Sequence, residues 1–386
     1  MTEWIECTLD KLGEIVGGAT PSTKCEDHYG GSIPWITPKD LSSFKGRYIT
    51  SGERNITEKG LASCSAQMMP KDAVLFTSRA PIGYVAIASQ SVCTNQGFKS
   101  IVVNEKADPL FVYYLLKYNK DAIEAMGSGT TFKEVSGKTM RAVKVRIPLD
   151  VSYQKRIAAV LDSLDTKIEN NERINDNLQQ QAAALFSSLY DRSNTEVRFT
   201  DLIQILGGGT PKTGENTYWN GNIAFFTPKD VGIPYTLITE KTISKEGLSH
   251  CNSRLYPVNT VFVTARGTVG KVGMSGVPMA MNQSCYALVG KETHQLLVYF
   301  YTLKAVDRLK HKASGAVFDA ITTRDFESEQ IMKLSDDDAT AFLRVAEPMF
   351  QEVLNNNIEN LRLSTLRDSL LPKLMSGEID VSAVQL

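Results

Sequence analysis

Apolar residues follow a helical pattern in two long stretches of the chain. Between residues 152 and 190, and again from about 336 to 375, they recur at alternating intervals of four and three positions. This spacing is typical of a long helix with a narrow apolar seam, as in a coiled coil. The seam positions are Ile157, Leu161, Leu164, Ile168, Leu178, Leu185 and Leu189 in the first stretch and Val353, Leu363, Leu370 and Leu374 in the second.

Asparagine interrupts both seams near their middle, at Asn171 and Asn175 and in the run 355–357. Asparagine at such positions commonly fixes the register of paired helices. We therefore expect the two helices to pair as an antiparallel coiled coil; the alternative is that each packs only on a neighbouring domain. The first stretch has no proline or glycine and predicts a helix of roughly 58 Å, at about 1.5 Å per residue. Pro348 should bend or restart the second helix near its beginning.

The rest of the chain shows the shorter patterns of mixed α and β structure. Apolar runs at 73–77, 85–88, 101–103 and 261–264 predict strands. Closely spaced glycine and proline predict turns and long loops between them. Helical spacing returns at 110–126 and 296–312.

These mixed segments are two copies of one domain. The matches keep their order while the offset between them drifts from 190 to 186 residues, which is too long for a solenoid repeat. The matched pairs are Gly17-Gly18-Ala19-Thr20-Pro21 with Gly207-Gly208-Gly209-Thr210-Pro211, Thr37-Pro38-Lys39-Asp40 with Thr227-Pro228-Lys229-Asp230, 74–79 with 261–266, Asn95-Gln96 with Asn282-Gln283, and Ser128-Gly129 and Phe132 with Ser314-Gly315 and Phe318.

The duplication predicts the domain organisation. We place the first mixed α/β domain at 1–150, a helical spacer at 151–194, the second domain at 195–335 and a second helical spacer at 336–386. The fold class is α+β, with two duplicated domains separated by two long helices. Antiparallel pairing of these helices would hold the two domains at opposite ends.

Charge and cysteine content narrow the class of protein only modestly. The net charge is −1, but 1–150 carries 18 Lys and Arg against 16 Asp and Glu, and 195–335 carries 15 against 12. Two mildly basic domains on acidic helices are compatible with nucleic-acid binding. The six cysteines form no Cys-x-x-Cys pair, which disfavours a zinc site. We find no secretory signal and no membrane span, and we expect a cytoplasmic protein.

Taken in order, these motifs resemble the specificity subunits of type I restriction-modification systems. The resemblance covers essentially the whole chain, and the second copy departs from it by ending Met332-Lys333-Leu334 and by lacking a Gln-Lys-Arg opening to its helix. The motifs that carry it are Gly-Gly-Ala-Thr-Pro at 17–21, Phe-Thr-x-Arg-Ala-x-Ile-Gly at 76–83, Asn95-Gln96-Gly97, Ile-Pro-Leu at 147–149, Gln-Lys-Arg-Ile at 154–157 and Leu-Met-Ser-Gly-Glu-Ile at 374–379.

The resemblance implies a sequence-specific DNA-binding subunit without catalysis. Each recognition domain would read one half of a split site in double-stranded DNA. The helices would set the spacing and dock two methyltransferase subunits, which motor-nuclease subunits join. S-adenosylmethionine, ATP and magnesium would be bound by those partners, and no cofactor by this chain.

A search for catalytic motifs supports this expectation. The chain has no Gly-x-x-x-x-Gly-Lys-Ser/Thr phosphate loop, no Asn-Pro-Pro-aromatic methyltransferase motif, no Glu-x-Lys and no His-Glu-x-x-His. One alternative is a stand-alone enzyme, such as a fused methyltransferase, which would need a cofactor motif. The other is a scaffold or antirestriction protein of the same architecture without its own DNA specificity, which a strongly acidic surface would indicate.

The candidate DNA-binding residues lie on loops that both copies share. Arg79 and Arg266 follow strand-like runs and could bind guanine bidentately, although a structural ion pair is an equal possibility. Lys39 and Lys229 are candidates for phosphate contact. The remaining candidates, of which the asparagines could instead be buried turn amides, are Thr20, Thr210, Lys133, Arg141, Asn95 and Asn282.

Overall fold

The computed structural model describes residues 2–129, 133–232, 234–312 and 320–384. The chain divides into two compact units: Met1–Glu169 with Arg362–Leu386, and Asn170–Leu361. In the last match of the repeat, Phe132, Ser314, Gly315 and Phe318 lie outside the described residues.

The first unit contains three sheets and short helices. A five-stranded sheet has the order β2-β9-β6-β7-β4, a three-stranded sheet the order β5-β3-β8, and β1 pairs with β10. The strands are β1 Trp4–Thr8, β2 Gly13–Gly17, β3 Tyr29–Ile36, β4 Tyr48–Ile49, β5 Asn55–Ile56, β6 Val74–Ser78, β7 Ile82–Ala88, β8 Cys93–Thr94, β9 Lys99–Val103 and β10 Lys144–Pro148. The helices are α1 Pro38–Ser42, α2 Glu58–Ala62, α3 Pro109–Tyr118, α4 Lys120–Ala125 and α5 Gly137–Ala142.

The second unit repeats this topology strand for strand. Its sheets have the orders β12-β19-β16-β17-β14, β15-β13-β18 and β11-β20. The strands are β11 Thr195–Arg198, β12 Ile203–Gly207, β13 Trp219–Phe226, β14 Tyr235–Thr236, β15 Lys241–Ile243, β16 Val261–Thr264, β17 Val272–Ser275, β18 Met279–Met281, β19 Cys285–Gly290 and β20 Gln330–Lys333. The helices are α7 Phe199–Leu202, α8 Lys245–Ser249, α9 Gln295–Lys312 and α10 Thr323–Glu327. The predicted α+β fold class with a duplicated domain is confirmed.

Two long helices complete the units, α6 at Val151–Arg192 and α11 at Asp336–Ser376. We expected Pro348 to bend or restart the second helix; the restart is wrong, because α11 continues through this residue. Phe342, Ala346 and Phe350 on either side are buried in the second unit's core. This packing offsets the hydrogen bond that proline cannot donate.

One predicted helix differs between the two copies. The segment predicted as a single helix at 110–126 is divided by Asn119 into α3 and α4. Asn119 Nδ2 donates to the carbonyl of Leu115 at 2.8 Å, so its side chain satisfies a carbonyl at the end of α3. The corresponding segment of the second unit is the unbroken helix α9.

The predicted seam residues of the long helices are buried or half-buried. Ile157, Leu161 and Leu374 are buried in the core of the first unit, where Leu370 packs against them. Leu189 and Val353 are buried in the core of the second unit, with Leu178 and Leu185 partly buried. The remaining seam positions are half-buried, namely Leu164, Ile168 and Leu363.

Asparagine pairs within the second unit show the direction of helix pairing. Asn171 contacts Asn360, and Asn175, one turn further along α6, contacts Asn356. The partner number falls as the α6 number rises, so the helices run antiparallel here. Asn171, Asn175 and Asn356 are buried, and these hydrogen bonds between the two helices satisfy polar groups that would otherwise oppose burial.

Candidate nucleic-acid interface

Three loops of the repeat meet at one edge of each unit. In the first unit, Ala19 N donates to Thr94 O and Asn95 N donates to Ile36 O, both at 3.0 Å. These bonds bring the Gly-Gly, Thr-Pro-Lys-Asp and Asn-Gln loops together. A Cβ on Gly18 would lie 2.1 Å from the carbonyl oxygen of Asn95, so only glycine permits this approach.

The second unit makes the same contacts. Gly209 N donates to Met281 O at 3.1 Å and Asn282 N to Phe226 O at 3.0 Å. A Cβ on Gly208 would lie 2.2 Å from the carbonyl oxygen of Asn282. The glycine pair therefore serves close loop packing in both copies.

The threonine and asparagine candidates take part in holding these loops. The hydroxyl of Thr20 donates to the side-chain oxygen of Gln96, and Thr210 donates likewise to Gln283. Oδ1 of Asn95 accepts from Gly97 N at 2.8 Å, and Oδ1 of Asn282 accepts from Ser284 N at 3.0 Å. Bidentate adenine recognition needs the carboxamide oxygen of an asparagine. The geometry therefore fits the alternative of a turn amide at Asn95 and Asn282.

Lys39 and Lys229 stand on turns that an aspartate stabilises. Oδ2 of Asp40 accepts from the backbone N of Thr37 at 2.7 Å and from its hydroxyl at 2.6 Å. Asp230 and Thr227 repeat these bonds at 2.8 and 2.6 Å. Both lysine side chains are about four-fifths exposed, at 78% and 81%. They are thus displayed to solvent by a rigid turn, as a phosphate contact requires.

Each of these lysines has a carboxylate beside it. Nζ of Lys39 lies 2.7 Å from Oε2 of Glu53, and Nζ of Lys229 lies 3.7 Å from Oε2 of Glu240. The hydrogen bond that Lys39 donates to Glu53 raises the pKa of this lysine above its usual value. Lys39 therefore keeps its charge at neutral pH, as a phosphate contact also requires.

The two candidate arginines differ in their surroundings. Nη1 of Arg79 lies 3.4 Å from Oε2 of Glu134. The other carboxylate oxygen of Glu134, Oε1, lies 3.6 Å from Nζ of Lys99. A backbone bridge joins Arg79 to Glu134, and the corresponding bridge in the second unit joins Arg266 to Ala320. Arg266 is exposed and forms no ion pair within the described part of the chain. Among the residues that the structure describes, a carboxylate thus holds the first arginine but not the second.

The other two basic candidates are exposed near Glu134. Lys133 precedes it in the chain, and Arg141 lies on the short helix α5 that follows. Both belong to the first unit, and the second unit's equivalent loop lies outside the described residues.

A cleft in the second unit brings three predicted residues together. Lys229, Arg266 and Asn282 line an open cleft of about 460 Å³, together with Glu240 and Lys241. The cleft combines three cations with one carboxylate on an exposed face. Such a surface suits a polyanion that approaches from solvent.

Several residues of this interface were not predicted. They are Asp40 and Asp230, which cap the turns, Glu53 and Glu240, and a cation that covers an aromatic ring in each unit. Arg54 lies 4.1 Å from the ring centre of Tyr29, and Lys241 lies 5.6 Å from that of Trp219. A signal for them was present in the sequence, because Glu53-Arg54 and Glu240-Lys241 are separated by 187 residues, which falls within the range of the other matches.

Other kinds of site were sought in the same residues. Within the described ranges, no group of three or more His, Cys, Asp or Glu side chains is placed to hold a metal ion. Of the helices that the structure describes, none is long and apolar enough to cross a membrane.

Comparison with known proteins defines the class to which this fold and interface belong. The family described as type I restriction modification DNA specificity domain matches residues 1–180 and 192–333. The specificity subunit of the type I restriction enzyme MjaIX from Methanocaldococcus jannaschii is 30% identical over 98% of this chain and 94% of its own. That of HindI from Haemophilus influenzae is 24% identical over 73% of this chain and 80% of its own.

A solved structure shows the same fold. The crystal structure of the type I restriction-modification S subunit from M. genitalium covers 97% of this chain and 96% of its own, with a TM-score of 0.64 and 16% identity. The chain belongs to the family of type I restriction-modification DNA-specificity subunits. The family consists of DNA-recognition subunits, and this assignment supports DNA specificity rather than the scaffold alternative.

Proposed function

We propose that this chain reads a bipartite site in double-stranded DNA, one half with each recognition domain. The observation that supports this most directly is the duplicated loop set. Both units carry a lysine on an aspartate-capped turn, an arginine after a central strand and a Gly-Gly loop packed on an Asn-Gln turn. The positions flanking these shared residues differ, so the two half-sites differ in sequence.

Selection of bound duplexes from a random library tests this proposal. We expect two short sequence blocks separated by a spacer of fixed length and no preferred sequence. A single contiguous block would contradict the bipartite reading. Methylome sequencing of a host that carries the gene with its neighbours gives an independent readout of the same site.

We further propose that the long helices dock two methyltransferase subunits, which motor-nuclease subunits join. The helices support this by retaining exposed apolar residues: Ile174 on α6 is 45% exposed, and Leu366 on α11 is 46% exposed. Ile174→Glu should abolish co-purification with the methyltransferase. Gln180→Glu, which adds the same charge at an exposed position of α6, should leave it intact. Equal retention of the methyltransferase by both variants would exclude this part of α6 as the docking surface.

The partners would supply the chemistry. S-adenosylmethionine would be bound by the methyltransferase subunits, and ATP and magnesium by the motor-nuclease subunits, in the cytoplasm where the DNA lies. The purified chain, incubated with plasmid and labelled S-adenosylmethionine, should transfer no methyl groups. Robust methyl transfer by the chain alone would contradict the adaptor role.

A further inference from the structure

Each recognition domain places a glutamate against the lysine of its Thr-Pro-Lys-Asp turn. The contacts are Lys39 with Glu53 and Lys229 with Glu240. The two glutamates are exposed, with 67% and 58% of the side chain accessible. A carboxylate on a phosphate-facing surface opposes DNA binding, so its presence at the same place in both domains needs an explanation.

The placement of these glutamates is built into the backbone. Oδ1 of Asp40 accepts a hydrogen bond from the backbone N of Glu53 at 2.7 Å, and Oδ1 of Asp230 accepts from that of Glu240 at 2.7 Å. The aspartate that caps the lysine turn thus also fixes the start of the glutamate side chain. The backbone therefore holds each glutamate beside its lysine before the two side chains make any contact.

A basic residue follows each glutamate in the sequence, and further cations lie beside the pair of the second domain. This basic residue covers an aromatic ring: Arg54 over Tyr29, and Lys241 over Trp219. In the second domain, Arg266 lines the same cleft as Glu240. Glu240 therefore stands within a set of cations that a phosphate backbone would otherwise engage.

We propose that Glu53 and Glu240 suppress sequence-independent DNA binding by holding Lys39 and Lys229 in ion pairs. The inference rests on the proposed function, in which these loops face DNA. Phosphate contacts are the same for every sequence, and binding to the many other genomic sites competes for the chain. On random DNA the lysine stays with its glutamate. A matched half-site, whose base contacts hold the domain in place, presents a phosphate that displaces the carboxylate.

The test compares Glu53→Gln and Glu240→Gln with the full-length wild-type chain. Glutamine keeps the side-chain shape and the backbone donor to the aspartate. Affinity for a random duplex should rise by up to about fivefold per pair, the most that an exposed ion pair contributes. The slope of log affinity against log salt should steepen by about 0.9 for each lysine released. Affinity for the selected site should rise at least as much, because the wild-type lysine has to break its ion pair there, but the salt slope for that site should stay unchanged.

Glu14→Gln is the matched control. Glu14 is exposed in the first domain, and the second domain already carries Gln204 at the corresponding strand position. The substitution removes the same charge from the same domain without touching the pair. If Glu53→Gln behaves like Glu14→Gln, or if it weakens binding to the selected site alone, the proposal is overturned; the second result would make Glu53 a base-reading residue.

A lysine variant separates this proposal from the proposed function. Lys39→Ala should weaken binding to the selected site and reduce its salt slope by about one, and binding to random DNA, where Glu53 holds the lysine, should change less. If Lys39→Ala leaves all DNA binding unchanged, the loops do not contact DNA and the proposed function of this interface fails. If Lys39→Ala weakens binding while Glu53→Gln is silent, only the inference about the glutamates fails.

Discussion

Asn171 on α6 donates a hydrogen bond from Nδ2 to Oδ1 of Asn360 on α11, at 2.8 Å. Asn356 donates in the same way to Asn175, at 2.9 Å. Asn356 and Asn360 stand 185 positions after Asn171 and Asn175, respectively, so the two bonds are copies of one contact produced by the duplication. They form a polar centre between α6 and α11, which specifies one antiparallel register.

Replacing one asparagine of a pair should destabilise the chain. Asn171→Leu leaves the carboxamide of Asn360 without this partner and should cost about 1–3 kcal/mol. Leucine at both positions removes both polar groups and should recover most of that loss. Urea unfolding monitored by circular dichroism measures the difference. Leucine at Asn171, Asn360, Asn175 and Asn356 together should also give mixed oligomers in light scattering, because neither asparagine pair then specifies the register; a single monodisperse species would contradict that role.

A buried ion pair distinguishes the first unit from the second. Nη1 of Arg367 lies 2.6 Å from Oδ1 of Asp165, whose other oxygen accepts from the hydroxyl of Tyr114 at 2.8 Å. Arg367→Ala should cost about 3–5 kcal/mol, because it leaves a buried carboxylate without its cation. The measurement is the midpoint of denaturant unfolding at neutral pH.

The second unit supplies the matched control for that ion pair. Phe350 lies 185 positions after Asp165, and Ala182 lies 185 positions before Arg367, so these two residues replace the ion pair. Phe300, 186 positions after Tyr114, replaces the tyrosine. These three residues are buried in its core. The triple variant Tyr114→Phe, Asp165→Phe and Arg367→Ala should therefore be more stable than Arg367→Ala alone. Equal or lower stability would show that the first unit cannot accept apolar packing there.

The arginines should affect one half-site each. Arg79→Ala or Arg266→Ala should lose about 1–3 kcal/mol of discrimination at one position of one half-site, if each reads a guanine edge. Selection of bound DNA from a random library measures this. Glu134 contacts Arg79, and the corresponding residue beside Arg266 is Ala320. Glu134→Ala should therefore reduce base discrimination at the first half-site only. Unfolding of the arginine variants would instead identify the arginines as structural.

The architecture could be predicted from the sequence because strand and helix patterns are local signals, and because the duplication repeats them in the same order. The seam of α6 and α11 and the strands around Val74 and Val261 are patterns within a few neighbouring positions. Contacts between distant positions leave no such pattern. The buried guanidinium of Arg47, for example, bonds to Asp162 and Glu169 on α6, more than a hundred positions away.

The candidate site was predictable only in part for the same reason. Lys39 and Lys229 stood out because their four-residue motif recurs. Their glutamate partners lie 14 and 11 positions further along, in segments with little shared sequence. Folding brings them together through Asp40 and Asp230, and the sequence alone indicates no such bond.

The final prediction concerns the long helices as a determinant of spacer length. Removing Asn171–Asn177 from α6 and Asn356–Arg362 from α11 deletes one heptad from each helix. The deletion removes both asparagine pairs. Because it removes one seven-residue repeat from each helix, the remaining apolar positions keep their phase. Each helix becomes shorter by about 10 Å, at about 1.5 Å per residue, which corresponds to roughly three base pairs at about 3.4 Å each.

If the helices set the distance between the recognition domains, this variant should lose affinity for the native spacer. DNA completes a turn in about 10 base pairs, so a change of about three pairs also rotates one half-site by roughly 100° relative to the other. Length and groove phase must both fit, and we expect strong binding only where a shorter spacer satisfies both. Selection from a library with fixed half-sites and randomised spacer length measures the preference. A folded variant that still prefers the native spacer would show that the helices do not determine it, because seven residues fewer in each helix would then leave the distance between the bound half-sites unchanged.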